Sequence, residues 1–221
     1  MKLILVRHGQ TPSNVAGLLD TAPPGPGLTD LGLRQAAALP GALGRKQIDA
    51  IFASNQLRAQ QTAAPLATAR GLDVGVLAGL REIAAGDLEM AADADSIHRY
   101  IGTLWSWLDG HLERRIPGGP NGFQMLERFD AAIDEIVAAV GGNGAAVAMS
   151  HGAAIRVWAA SRARSADSDV PDGQRLGRHL DNTGAVELRR GARGAWTIVS
   201  WRSEAIGGKA LDAATDSGPT T

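Results

Sequence analysis

The sequence predicts an α/β fold: a three-layer sandwich with a mostly parallel central sheet, helices on both faces and a small helical cap inserted over one edge. Three observations carry this reading. Short aliphatic runs recur along the chain, beginning with KLILV at residues 2–6. Most are followed by a longer stretch rich in alanine and leucine, the pattern of crossover helices between parallel strands. The run AAVAMS at 145–150 is apolar on both of its faces, as in a strand covered from two sides.

The elements follow in order. KLILV forms the first strand and leads directly into Arg7 and His8. Thr29 is placed to N-cap the helix DLGLRQAAALPGAL at 30–43, which Pro40 ends or bends. IDAIFAS at 48–54 reads as the second strand, LRAQQTAAPLATAR at 57–70 as a helix that Pro65 can kink, and DVGVL at 73–77 as the third strand. Two helical stretches, 96–115 and 123–140, are separated by the turn-rich IPGGPNG and make up the expected cap, about 92–141. AAVAMS and the helix GAAIRVWAASRA at 152–163 come next. GAVELRR and WTIVSWR, split by GARGA, are expected to form a hairpin. Beyond Arg202 no periodic apolar face remains, so residues 1–202 are expected to form one domain and 203–221 a loose tail.

Composition narrows the function. A net charge of -1, with 20% charged residues, gives no general attraction to nucleic acid or acidic lipid, so any anion site must be local. The chain has no cysteine, which excludes thiolate metal sites and cysteine nucleophiles and fits a cytoplasmic setting. No apolar run approaches the length of about 18 residues needed to span a membrane, and LILV is too short for a secretory leader. His98, His111 and His179 lack metal-ligand spacing, Trp105 and Trp107 read as packing residues on a helix, and no glycine cluster has the spacing of a P-loop. No metal or cofactor is expected. Oligomeric state is left open, a homodimer included.

In parallel α/β sheets, ligands gather at the carboxyl ends of the strands. Arg7, His8 and Gly9 fall at one such end and His151 at another; Arg58 opens the helix after the second strand, and Glu82 follows the third. Two arginines, two histidines and a carboxylate on one rim suit a phosphate ester. Guanidinium groups donate paired hydrogen bonds to phosphoryl oxygens. A neutral imidazole can attack phosphorus, and a carboxylic acid can protonate the departing oxygen. Gly9 is expected to leave room for a close approach of the ligand to the backbone.

The segments LVRHGQTPSN, SNQLRAQQTA, LREIAAGDLE and AMSHGAAIR, in this order from about Leu3 to Asn182, resemble the motifs of the histidine phosphatase superfamily, also called phosphoglycerate mutase-like. The resemblance implies that His8 becomes transiently phosphorylated while Arg7, Arg58 and His151 hold the phosphoryl oxygens. Glu82 then supplies the leaving-group proton, and Gln10 and Asn14 help to line the pocket. It also implies a metal-independent phosphomonoesterase acting on a small phosphate ester. Two alternatives are a cofactor-primed phosphoglycerate mutase and a phosphate-ester-binding protein without turnover. Mutases of the family have a longer insertion between the acid and the second histidine than the 69 positions (151 minus 82) found here. Leu88, Glu89 and Met90 replace the family's tryptophan-glutamate-glycine pattern, which makes Glu89 the second candidate for the acid, and GGPNG stands where many relatives carry a glycine-glutamate-serine turn.

Overall fold

The computed structural model describes residues 1–165 and 179–212. Its seven strands form one sheet in the order β3-β2-β4-β1-β6-β7-β5. The strands are β1 (Lys2–Arg7), β2 (Ala50–Ala53), β3 (Val74–Val76), β4 (Ala145–Ser150), β5 (Ala163–Ser165), β6 (Ala185–Arg190) and β7 (Trp196–Arg202). β1 pairs parallel with β4, β4 with β2, β2 with β3, and β5 with β7; β6 runs antiparallel to both β1 and β7. The expected hairpin is therefore β6–β7.

Among the described residues six α-helices accompany the sheet: α1 (Pro12–Val15), α2 (Asp30–Ala42), α3 (Leu57–Arg70), α4 (Ala94–Leu108), α5 (Gly122–Val140) and α6 (Gly152–Arg162). Side-chain alternation along β1 shows the layers. Leu3 and Leu5 enter one buried cluster with Phe129 of α5 and Trp158 of α6, whereas Ile4 and Val6 enter a second with Leu39 of α2 and Leu66 of α3. Both faces of the central strands are thus covered, which is why AAVAMS carries no polar alternation.

Several boundaries differ from the sequence reading for identifiable reasons. Thr29 caps α2 through Gly32 N at 3.1 Å, but Pro40 is accommodated within the helix, which ends two residues later. Pro65 lies inside α3, which runs unbroken to Gly71. The helix expected over 96–115 starts earlier, because Asp93 caps it through Ser96 N, and stops at Leu108, followed by Gly110 at φ 97°. Residues 109–121 then turn back, and Gly122 N donates to Leu112 O.

The region 92–141 is not a detached cap. α5 buries Met125, Phe129, Ile133 and Ile136 in the same core as Leu3 and Leu5, so it belongs to a helical layer. Trp107 is buried in that core and donates to Arg114 O, a packing role. Residues 203–212, read from composition as the start of a tail, dock instead. Ala205 is buried, Ile206 packs on the α2–α3 cluster, Ile206 N donates to Thr183 O, and Gln35 of α2 donates to Leu211 O. The rest of that segment, 213–221, lies outside the described residues.

Candidate active site

Strand register assembles the site. Arg7 pairs with Ser150 across β1 and β4, so the next residues, His8 and His151, leave the sheet side by side, with ring centroids 5.1 Å apart. Ala53 of β2 pairs with Met149 of β4, which brings Ser54 alongside, and its Oγ lies 2.6 Å from His151 Nε2. Arg58 follows in the first turn of α3. Glu82 follows a short 3-10 turn after β3, and its carboxylate accepts from Ala154 N at 2.9 Å and Ala153 N at 3.3 Å, in the first turn of α6. Arg7, His8, Asn14, Arg58 and Glu82 all line one cavity of about 40 Å³. A larger cavity of about 270 Å³ opens at the opposite end of the sheet, around Lys2, Lys46 and Arg189, and holds none of the candidate residues.

The hydrogen bonds settle the state of His8. Its Nδ1 lies 2.7 Å from Gly9 O, and a carbonyl can only accept, so Nδ1 carries the proton and Nε2 the lone pair. Burial, reinforced by the charges of Arg58 and Arg7, holds His8 well below the ordinary histidine value. His151 is shifted the same way, by burial first and then by Arg58 and His8. Ser54 Oγ accepts from Gln56 N and lies against His151 Nε2, while His151 Nδ1 is buried with no hydrogen-bond partner.

Arg7 Nη1 donates to Leu180 O at 2.7 Å, and Arg58 Nη2 donates to Asp20 O at 2.9 Å. Burial lowers the Arg58 value, opposed by the nearby carboxylates of Asp20 and Glu82. Both guanidiniums are almost wholly enclosed, 2% and 3% exposed, in a chain whose charge is otherwise balanced.

The two acid candidates are separated by their contacts. Glu82 lines the cavity; Glu89 accepts from Thr21 N, Ala22 N and the Thr21 hydroxyl, and so fastens the 20–22 loop instead. Gln10 does not line the cavity: its Oε1 accepts from Thr29 Oγ1, beside the start of α2. Asn14 does line it, and its Oδ1 accepts from Thr11 N and from Asn182 Nδ2. Gly9 serves a different approach from the one expected. A Cβ there would fall 2.7 Å from Gly32 O, so the missing side chain admits α2.

Sequence reasoning missed the residues that hold these groups. Asp20 faces Arg58 and accepts from Ser13 Oγ at 2.5 Å. Asn182 donates to His8 O at 3.0 Å. Arg128 of α5 donates to Gly79 O and Arg81 O, just before Glu82, and burial pushes it down to about 10. Nothing in a single sequence distinguishes such buried partners from surface acids, amides and arginines.

Fold and site define an α/β protein that sets Arg7, His8, Arg58 and Glu82 around one cavity at the carboxyl edge of its sheet, with His151 wholly buried against His8 and not among the lining residues. The chain belongs to the histidine phosphatase superfamily (branch 1), whose family model matches residues 3–204. It is 39% identical over 224 residues to the PE-PGRS family protein PE_PGRS11 of Mycobacterium tuberculosis, covering 95% of this chain but 38% of that much longer protein. It is 34% identical over 138 residues to the adenosylcobalamin/alpha-ribazole phosphatase of Salmonella typhimurium, covering 61% of this chain and 67% of that one. The solved structure of a mycobacterial glucosyl-3-phosphoglycerate phosphatase in complex with VO3 superposes with a TM-score of 0.74 at 26% identity, covering 92% of this chain and 99% of the other. Among the described residues no helix is long and apolar enough to cross a membrane.

The histidine shifts carry a prediction about stability. Folded His8 and His151 bind fewer protons than their unfolded counterparts, so unfolding takes up protons below the unfolded value of about 6.5. Their contribution is present above that pH and is lost as pH falls below it. The urea midpoint is expected to drop between pH 7.5 and 5.5, and to drop less in His151→Gln. A flat wild-type profile over that range would contradict the burial of two neutral imidazoles.

Proposed function

We propose that the chain is a phosphomonoesterase that works through a phosphohistidine on His8 without a metal ion. The observation that supports this best is the lone pair of His8 Nε2, fixed by the Nδ1–Gly9 bond and set in a cavity that Arg7 and Arg58 also line. In the first step Nε2 attacks phosphorus and the bond to the leaving oxygen breaks. Glu82 gives that oxygen its proton. In the second step water attacks phosphorus, the P–N bond breaks, and Glu82 takes the proton from the water. Arg7 and Arg58, with His151 beside them, stabilise the equatorial oxygens as charge develops on them. The substrate is a small phosphate ester.

The reading is tested by steady release of inorganic phosphate from an aryl phosphate, with 2,3-bisphosphoglycerate and phosphoglycerates assayed in parallel for mutase product. Mutase product exceeding phosphate release would favour the mutase, and binding of inorganic phosphate without turnover would favour a binding protein.

Two further results are expected. Activity is expected to survive EDTA within about twofold, because the two guanidiniums supply the charge a metal would otherwise provide; restoration by magnesium of an EDTA-silenced enzyme would refute this. Glu82→Gln is expected to slow hydrolysis of alkyl phosphates by about 10²–10⁴-fold and of activated aryl phosphates far less, since poor leaving groups need the proton most. Equal losses on both esters would point to a displaced α6, whose first turn Glu82 also caps.

A further inference from the structure

We infer that the leaving group is an uncharged hydroxylated one, such as a polyol, sugar or nucleoside, and that a phosphate ester which also bears a carboxylate is disfavoured. This rests on the phosphomonoesterase reading of the same cavity.

The charge around the cavity is already matched before an ester enters. Among the described residues that line it, the arginines are Arg7 and Arg58, both acting on His8, and the carboxylates are Asp20 and Glu82. A phosphate dianion uses both guanidiniums. Among the described residues a second negative charge on the substrate finds no further lining cation. Arg128 and Arg156, the other buried arginines that act on Glu82, do not line the cavity, and Arg128 is committed to Gly79 O and Arg81 O.

Asp20 turns this into discrimination. It lines the cavity, and its Oδ1 stands 3.7 Å from Arg58 Nη1, beyond hydrogen-bond distance. Its Oδ2 accepts a hydrogen bond from the neutral Ser13 hydroxyl. A carboxylate with spare acceptor capacity can receive a substrate hydroxyl and repels a substrate carboxylate. Leu18, Leu19 and Tyr100 complete the wall without charge, and the Tyr100 hydroxyl is already donated to Ile83 O.

Glycerol 3-phosphate and 3-phosphoglycerate share a three-carbon skeleton and differ by a hydroxymethyl group in place of a carboxylate, so their kcat/KM ratio reads the inference directly. The expected ratio favours glycerol 3-phosphate by roughly tenfold or more, as like charges in a partly desolvated site require. In Asp20→Asn the ratio is expected to narrow severalfold, whatever happens to the absolute rates through Arg58; simple loss of structure would lower both rates and leave the ratio unchanged. A ratio near one, or reversed, in a protein that hydrolyses aryl phosphate would overturn the inference and leave the phosphatase reading standing. An unchanged ratio in Asp20→Asn would remove Asp20 as its cause and overturn the proposal in this form. Absence of phosphate release from every ester, aryl phosphate included, would overturn both readings together.

Discussion

His8→Ala is expected to abolish phosphate release, with a loss on the order of 10³-fold or more, the scale seen when a covalent nucleophile is removed. The wild-type protein, mixed with labelled substrate and quenched in alkali, is expected to retain label in the acid-labile, base-stable form of phosphohistidine, and the variant none. The fold should survive the change. His8 sits where β1 has already ended, and its backbone is held from three sides: His8 N donates to Ser150 O, while its carbonyl accepts from Asn182 Nδ2 and Thr183 N. None of these bonds involves the imidazole. Removing the ring also removes a buried neutral group that unfolding would protonate, so the acid-side loss of stability should shrink with it. Retained label in His8→Ala would move the nucleophile elsewhere, and His151, whose ring centroid stands 5.1 Å from that of His8, would be the next to replace.

The parts of this site that were legible in the sequence are those fixed by chain continuity. A strand leading straight into Arg7 and His8, and another into His151, must deliver those side chains to a sheet edge if the strands are parallel. The register of β1 against β4 then makes them neighbours. Residues whose placement depends on a contact across the fold were not legible. Gln10 and Asn14 lie equally close to His8 in sequence, yet α2 captures Gln10 through Thr29 while Asn14 closes a capping box with Thr11 and meets Asn182. Glu82 and Glu89 sit in one segment, and only the loop at Thr21 decides that Glu89 is spent on backbone amides. The same holds for the fold. Periodicity revealed the helices α2, α3, α5 and α6, but α4 was overextended because Gly110, with its positive φ, ends a pattern whose apolar spacing continues. The short edge strand β5 was not anticipated beyond its first residue, which was read as the last of α6, since three residues carry no period of their own.

Arg58→Lys is expected to lower kcat/KM by about 10²–10³-fold, the usual cost of losing a preorganised donor to the transferring group. Charge is conserved in this substitution, so the argument is geometric. Arg58 uses Nη2 to grip Asp20 O while its Nε and Nη1 stay buried with no hydrogen-bond partner. One plane of nitrogens therefore both anchors the side chain and offers donors to an anion, which a single ammonium cannot do. Those buried donors carry a desolvation cost of about 1–3 kcal/mol each while unsatisfied. Replacing Arg58 should accordingly leave thermal stability without phosphate unchanged or raised. Inorganic phosphate should raise the melting temperature of the wild type, because it binds only the folded state. In Arg58→Lys that rise should be largely lost at the same phosphate concentration. If the variant instead unfolds more readily and its phosphate response is intact, Arg58 is a structural tie to the Asp20 loop, and Arg7 with His151 must hold the phosphoryl group alone.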